Sequence, residues 1–201
     1  MARTLCALDR RADGTPAFPE MHAPTLAENH GFTLIELLLV VTIIGIVASI
    51  AIPNVTKART AAIEASTIGT LRALNSSLVG YSTSCGAGFF PPSFTNLATS
   101  PGNGIPAFAP PPFVSDSTTK ESYLYLYTPG PVGANSPASC NGVARGAGVQ
   151  SYFLEADPLV TGIGGIGRYF GTSAGGTIYN DTSRVRAFFV GSAPAPAKPI
   201  Q

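Results

Sequence analysis

From Phe32 to Ile52 the chain reads FTLIELLLVVTIIGIVASIAI, twenty-one residues with one charged side chain, Glu36. At the rise of an α-helix this run covers about 30 Å, the thickness of a bilayer's hydrocarbon core. The spacing therefore predicts a helix able to span a membrane. The run is long for the apolar core of a secretory signal, and it leads into AIPNVTKAR instead of a small-residue cleavage site. Arg3, Arg10 and Arg11 on one side are nearly balanced by Lys57, Arg59 and Arg72 on the other, so charge barely decides the orientation. The cysteines and the Pro/Gly/Ser-rich second half favour a cytoplasmic N-terminus and an extracytoplasmic C-terminal part.

The remainder limits the partners. Apolar residues make up 45% of the 201 and charged ones 11%, too greasy for a disordered chain and unusual for a cytosolic enzyme. A net charge of +1, with no basic cluster beyond Arg10 and Arg11, lacks the footprint that nucleic-acid binding requires. The length fits one globular unit with an appended helix. Most of the 22 glycines and 18 prolines follow Tyr81, which predicts short strands and many turns there.

Glu36 is the feature that needs a cause, because an ionised carboxylate inside an apolar span is costly unless it snorkels or finds a partner. Snorkelling is one reading, since Glu36 lies within a helical turn of the membrane edge. The other pairs it with a cation at a helix start. The run G-F-T-L-I-E, Gly31 to Glu36, resembles the leader signal of type IV pilins and type II secretion pseudopilins. By that resemblance a prepilin peptidase cuts between Gly31 and Phe32 and methylates the new N-terminal Phe32. Glu36 then sets subunit register against the amine of a neighbouring copy. Gly45 and Pro53 stand where members of that family often carry Gly and Pro. The resemblance covers about Gly31 to Tyr81 and implies an inner-membrane protein with a periplasmic C-terminal domain. Its partners would be copies of itself, other pilins, prepilin peptidase and the pilus or type II secretion assembly machinery.

The leader departs from the family pattern, for HAPTLAENHG, residues 22–31, carries Glu28 and no Lys or Arg. Met21 is an alternative start, but it discards every leader arginine, so Met1 is read as the start. Removing residues 1–31 takes away Cys6, His22 and His30. Cys85 and Cys140 remain, either as two free thiols or as a disulfide in an oxidising compartment; their loop-rich setting favours the bond.

After Pro53 the apolar residues Ile68, Leu71, Leu74, Leu78 and Tyr81 recur at helical spacing among Lys57, Arg59, Glu64 and Arg72, predicting one dry face. Pro53 and Gly45 predict a kink or local melting between them. The expected organisation is a leader over 1–31, an apolar helix over 32–53, its amphipathic half over 54–81, a Pro/Gly-rich, mostly irregular connector over 82–121 holding at most short helical turns, a sheet over 122–192 and a frayed tail over 193–201. Strand patterns at 122–128, 149–156, 168–170 with 177–179, and 184–190 predict about four antiparallel strands. The fold class is α+β, a long helix packed on a small sheet in the manner of type IV pilins.

Tyr123, Tyr125 and Tyr127 share one strand face, which reads as packing more readily than as a sticky surface. Gly162, Gly164 and Gly167 satisfy G-x-G-x-x-G but lead into RYFGTSAGG, no helix start, so a dinucleotide site is dismissed. Asp157, Asn180 and Asp181 have the chemistry of calcium ligands, as in loops of some pseudopilins by resemblance, yet no dense acidic loop surrounds them. No histidine follows His30 and no nucleophile–base set is legible, so neither an enzyme, a cofactor nor a metal is expected. A filament subunit is the first reading, with a secretion pseudopilin second and an uncleaved, static, single-pass binding module third.

Overall fold

The computed structural model of the chain describes residues 31–160, 167–185, 187–189 and 195–200. Residues 1–30, the stretch read as a leader, with Cys6, His22 and His30, lie outside the described residues, as do Gly162 and Gly164. The chain divides into two compact units, Met1–Ile46 and Val47–Gln201.

In the first unit the described residues are the opening of helix α1, Leu34–Ser84, and the three residues before it, all of them exposed. Thr33 starts the helix: its hydroxyl accepts the Glu36 N–H at 3.3 Å, and its carbonyl accepts the N–H groups of Glu36 at 3.1 Å and Leu37 at 3.3 Å. An N-cap side chain satisfies donors that have no partner within the helix. The last turn of α1, in the second unit, ends because Ala87 and Gly88 take left-handed backbone angles, φ 48° and 92°. The N–H of Gly88 returns to the Ser82 carbonyl at 2.8 Å, and those of Cys85 and Gly86 to Tyr81.

In the second unit the dry face of α1 carries Leu71, Leu74, Leu78 and Tyr81, all essentially sealed from solvent. They pack in one cluster with Tyr123, Tyr125, Tyr127, Tyr152, Leu154, Ala156, Phe170 and Ile178 from a sheet. That sheet is an antiparallel meander of six strands in chain order: β1 (Ser117–Lys120), β2 (Tyr123–Pro129), β3 (Tyr152–Pro158), β4 (Tyr169–Ser173), β5 (Ile178–Asp181) and β6 (Lys198–Pro199). Alternation explains β2, whose three tyrosines face the helix while Leu124 and Leu126 lie half-buried on the other face. The tyrosines supply core packing, and burial raises the hydroxyl pKa of Tyr123, Tyr127 and Tyr152 above the ordinary phenolic range.

The expectation of about four strands is corrected to six. Strand β1 lies in the stretch read as mostly irregular, where the four-residue helix α2 (Phe94–Leu97) is one of the short helical turns that reading allowed, and β6 lies in the stretch read as frayed. Among the described residues of 184–190 none is in a strand. Val185 and Phe188 instead cover the face of the sheet opposite α1, clustered with Phe153 and Tyr179. Gly171 makes room for this cover, since a Cβ there would come within 2.9 Å of both Phe153 and Val185.

Polar contacts fix where α1 sits on the sheet. Asn75 donates to Thr172 at 3.0 Å and accepts from the Tyr152 hydroxyl at 2.9 Å, all three side chains being buried. Eleven residues earlier Glu64, with its side chain 9% exposed, takes both Nε (2.8 Å) and Nη2 of Arg168. Lys120 reaches the Thr70 hydroxyl at 2.9 Å. Buried polar groups satisfied across two elements hold one register, because a shift of the helix would leave each without a partner.

Candidate processing and assembly site

Gly31, Phe32 and Thr33 precede the first helical turn and are exposed, Phe32 to 82%. The Gly31–Phe32 peptide bond thus lies outside the helical hydrogen-bond ladder. Its hydrolysis would release an α-amine four residues before Glu36, which occupies the first turn of α1. A carboxylate in that turn faces the positive end of the helix dipole. Thr33 is the residue that sequence reasoning missed. The signal was present, since Thr33-Leu34-Ile35-Glu36 has the Thr-x-x-Glu spacing of a capping box ahead of an apolar run.

From Leu37 to Val55 the large apolar side chains stay exposed among the described residues. Leu37, Leu38, Leu39, Val40, Val41, Ile43, Ile44, Ile46, Val47, Ile50, Ile52 and Val55 are all exposed large hydrophobics. Polar side chains in this stretch are turned onto their own helix: the Thr42 hydroxyl donates to the Leu39 carbonyl at 2.7 Å, Asn54 to Ile50 at 3.1 Å and Thr56 to Pro53 at 2.9 Å. Such back-bonding keeps hydroxyls and amides compatible with an apolar environment. The helix is long and apolar enough to cross a membrane. Among the described residues Gly45 has no neighbour within 4 Å of an added Cβ beyond its own helix. Pro53 lies within α1, which runs on past it.

A disulfide joins Cys85, the residue after α1, to Cys140, with Cα atoms 5.0 Å apart. Next to it the buried Asn141 donates to the carbonyls of Asn96 at 2.6 Å and Thr99 at 3.3 Å, tying the 139–143 loop to α2 and the turn after it.

Of the oxygens considered for calcium, Asp157 Oδ2 and Asp181 Oδ1 have partners in the protein, whereas the buried Asp157 Oδ1 has none among the described residues. Asp157 binds Arg184 Nε at 2.6 Å, Asp181 accepts the Thr182 N–H at 2.6 Å, and Asn180 donates to the Lys198 carbonyl at 3.2 Å. Arg184 also reaches Glu155 at 3.0 Å. Burial raises the pKa of both carboxyls; the mutual charge of Asp157 adds to the shift at Glu155, while Arg184 opposes both. Among the described residues no group of three or more His, Cys, Asp or Glu side chains is placed to hold a metal.

No curated protein and no solved structure matches the chain. One family model does, the Prokaryotic N-terminal methylation motif, over residues 27–52. Those residues contain the Gly31–Phe32 bond, Thr33, Glu36 and the exposed apolar turns. With the apolar helix, the motif points to a membrane-anchored protein, and it implies processing by prepilin peptidase followed by assembly with pilins. The chain thus carries at its N-terminal end the signal of type IV pilins and pseudopilins.

Proposed function

We propose that the protein is a structural subunit of a type IV pilus-like filament, held in the inner membrane by α1 with its sheet domain in the periplasm until assembly. Prepilin peptidase cuts after Gly31, and Phe32 becomes the methylated N-terminus. The observation that carries this reading is the methylation motif, residues 27–52, on a helix whose large apolar side chains there are exposed among the described residues. Lipid satisfies that surface in the membrane, and identical helices satisfy it in a filament. Glu36 is neutralised by the α-amine of a neighbouring copy, which fixes the axial stagger. The role is mechanical, not catalytic.

The test is the variant Glu36→Ala. It is expected to insert in the membrane and to be processed to Phe32, yet to yield no filaments. Normal filaments from it would overturn the register role of Glu36. Mass spectrometry of filament-associated material should find N-methylated Phe32 as the first residue, and an intact Gly31–Phe32 bond would support a static anchored module instead. A pseudopilin of a type II secretion machine shares every one of these residues. It is distinguished by genomic neighbours and by the absence of the protein from surface fibres.

A further inference from the structure

Two Asn-Gly dipeptides, Asn103-Gly104 and Asn141-Gly142, are chemically identical in sequence and held in opposite ways by the fold. Glycine offers the least hindered backbone nitrogen for attack on the preceding asparagine side chain, because it lacks a Cβ. Asn103 and Gly104 occupy the centre of a tight turn, with φ 55° and 78°, closed by the Ile105 N–H on the Gly102 carbonyl at 3.0 Å. Positive φ at both central positions makes this a type I′ turn. Both residues are exposed. Asn141 is buried, its amide nitrogen donating to two carbonyls and its oxygen accepting from Ser139 at 2.7 Å.

We propose that Asn103 is a site of spontaneous deamidation and that the fold protects Asn141 from the same reaction. The Gly104 backbone nitrogen attacks Cγ of Asn103; the N–Cγ bond forms, the Cγ–Nδ2 bond breaks, and ammonia leaves with the proton from that nitrogen. One water molecule then opens the cyclic imide at either carbonyl, giving aspartate or isoaspartate. No electrons change hands. The exposed turn reaches the attacking geometry by a local opening at the surface that breaks the Ile105–Gly102 bond and loosens the Ser100 hydroxyl contacts, with no buried group displaced. Asn141 must first surrender its hydrogen bonds and leave a buried site beside the Cys85–Cys140 disulfide.

The product has a physical consequence. From Cys85 to Ser115 the chain runs for 31 residues without an ionisable side chain other than the bonded Cys85. A carboxylate at 103 would be the first charge in that stretch, and isoaspartate would add a backbone carbon to a turn whose flanks are tied by the Ile105–Gly102 bond and by the Ser100 hydroxyl.

The full-length protein, purified in detergent, is incubated at mildly alkaline pH and sampled over time for peptide mapping by mass spectrometry, with isoaspartate counted by enzymatic methylation. In the folded protein the Asn103 peptide is expected to convert at least about tenfold faster than the Asn141 peptide, the difference set by the hydrogen bonds Asn141 must break. After reduction and denaturation the two peptides should convert at similar rates. Equal rates in the folded protein, or faster conversion at Asn141, would overturn the proposal. So would an Asn103 that stays intact while denatured Asn141 reacts. An Asn103→Asp variant supplies the reference position for the charge-shifted species on isoelectric focusing.

Discussion

Glu64 and Arg168 show at single-residue scale how the sheet domain reads the helix. The Glu64 carboxylate is largely removed from water, whereas Arg168 is nearly half exposed and lies 5.8 Å over the Phe170 ring. Arg168→Ala would leave an unpartnered carboxylate in the helix–sheet seam, a loss expected to be about 2–3 kcal/mol in denaturant unfolding. Adding Glu64→Gln to that variant should recover part of the loss, since a neutral amide costs less to bury. Asn75→Ala would orphan the Tyr152 hydroxyl and Thr172 and is expected to cost about 1–3 kcal/mol by the same measurement. The pair Glu155 and Asp157 makes the domain's stability depend on pH. Their folded pKa values lie above those of the unfolded chain, so the folded state holds their protons more tightly. Their contribution favours folding below the ordinary carboxylate range and is lost as pH rises through the raised values. Arg184→Ala should enlarge that loss, and Glu155→Gln should shrink it, both read from unfolding midpoints between mildly acidic and neutral pH. Thr33 was legible in sequence as the head of a Thr-x-x-Glu spacing, but its place inside the processing signal drew attention to the neighbouring Glu36.

Among the elements, the disulfide and the β1–β2 turn carry separate expectations. The Cys85–Cys140 bond spans a sequence separation of 55, and replacing both cysteines with serine is expected to cost about 4 kcal/mol by the chain-entropy relation. Limited proteolysis should then open the 130–148 loop first. Glu121 and Ser122 form the two central residues of the β1–β2 connection with φ 49° and 70°, angles better suited to Asn-Gly. Glu121→Asn with Ser122→Gly is therefore expected to stabilise the domain by about 1 kcal/mol in thermal or denaturant unfolding. Sequence reasoning found α1, β2 and most of β3 because each combines length with a sustained period. It missed β1 because STTK is short and polar, and β6 because it is two residues ending in proline. Val185 and Phe188 misled the reading in the other direction. Their apolar side chains cover a sheet face, and covering a sheet needs the same residue types as joining one.

For the whole molecule, the N-terminal signal was legible because glycine, aromatic, threonine, carboxylate and apolar run fall at fixed offsets, and no tertiary contact is needed to see them. The sheet domain was legible only as a class, since its two outer strands, β1 and β6, are too short to carry a period of their own. The helix seated on that sheet was chosen by leucines but placed by polar groups. Leu71, Leu74 and Leu78 would tolerate sliding past other apolar side chains, whereas Asn75 with Tyr152 and Thr172, and Glu64 with Arg168, would not. A force drawn along α1 would load these bonds in shear, and none of them can rupture without stranding a polar atom in a dry seam. The domain should therefore resist being dragged off its own helix far more stubbornly than its modest leucine face would allow.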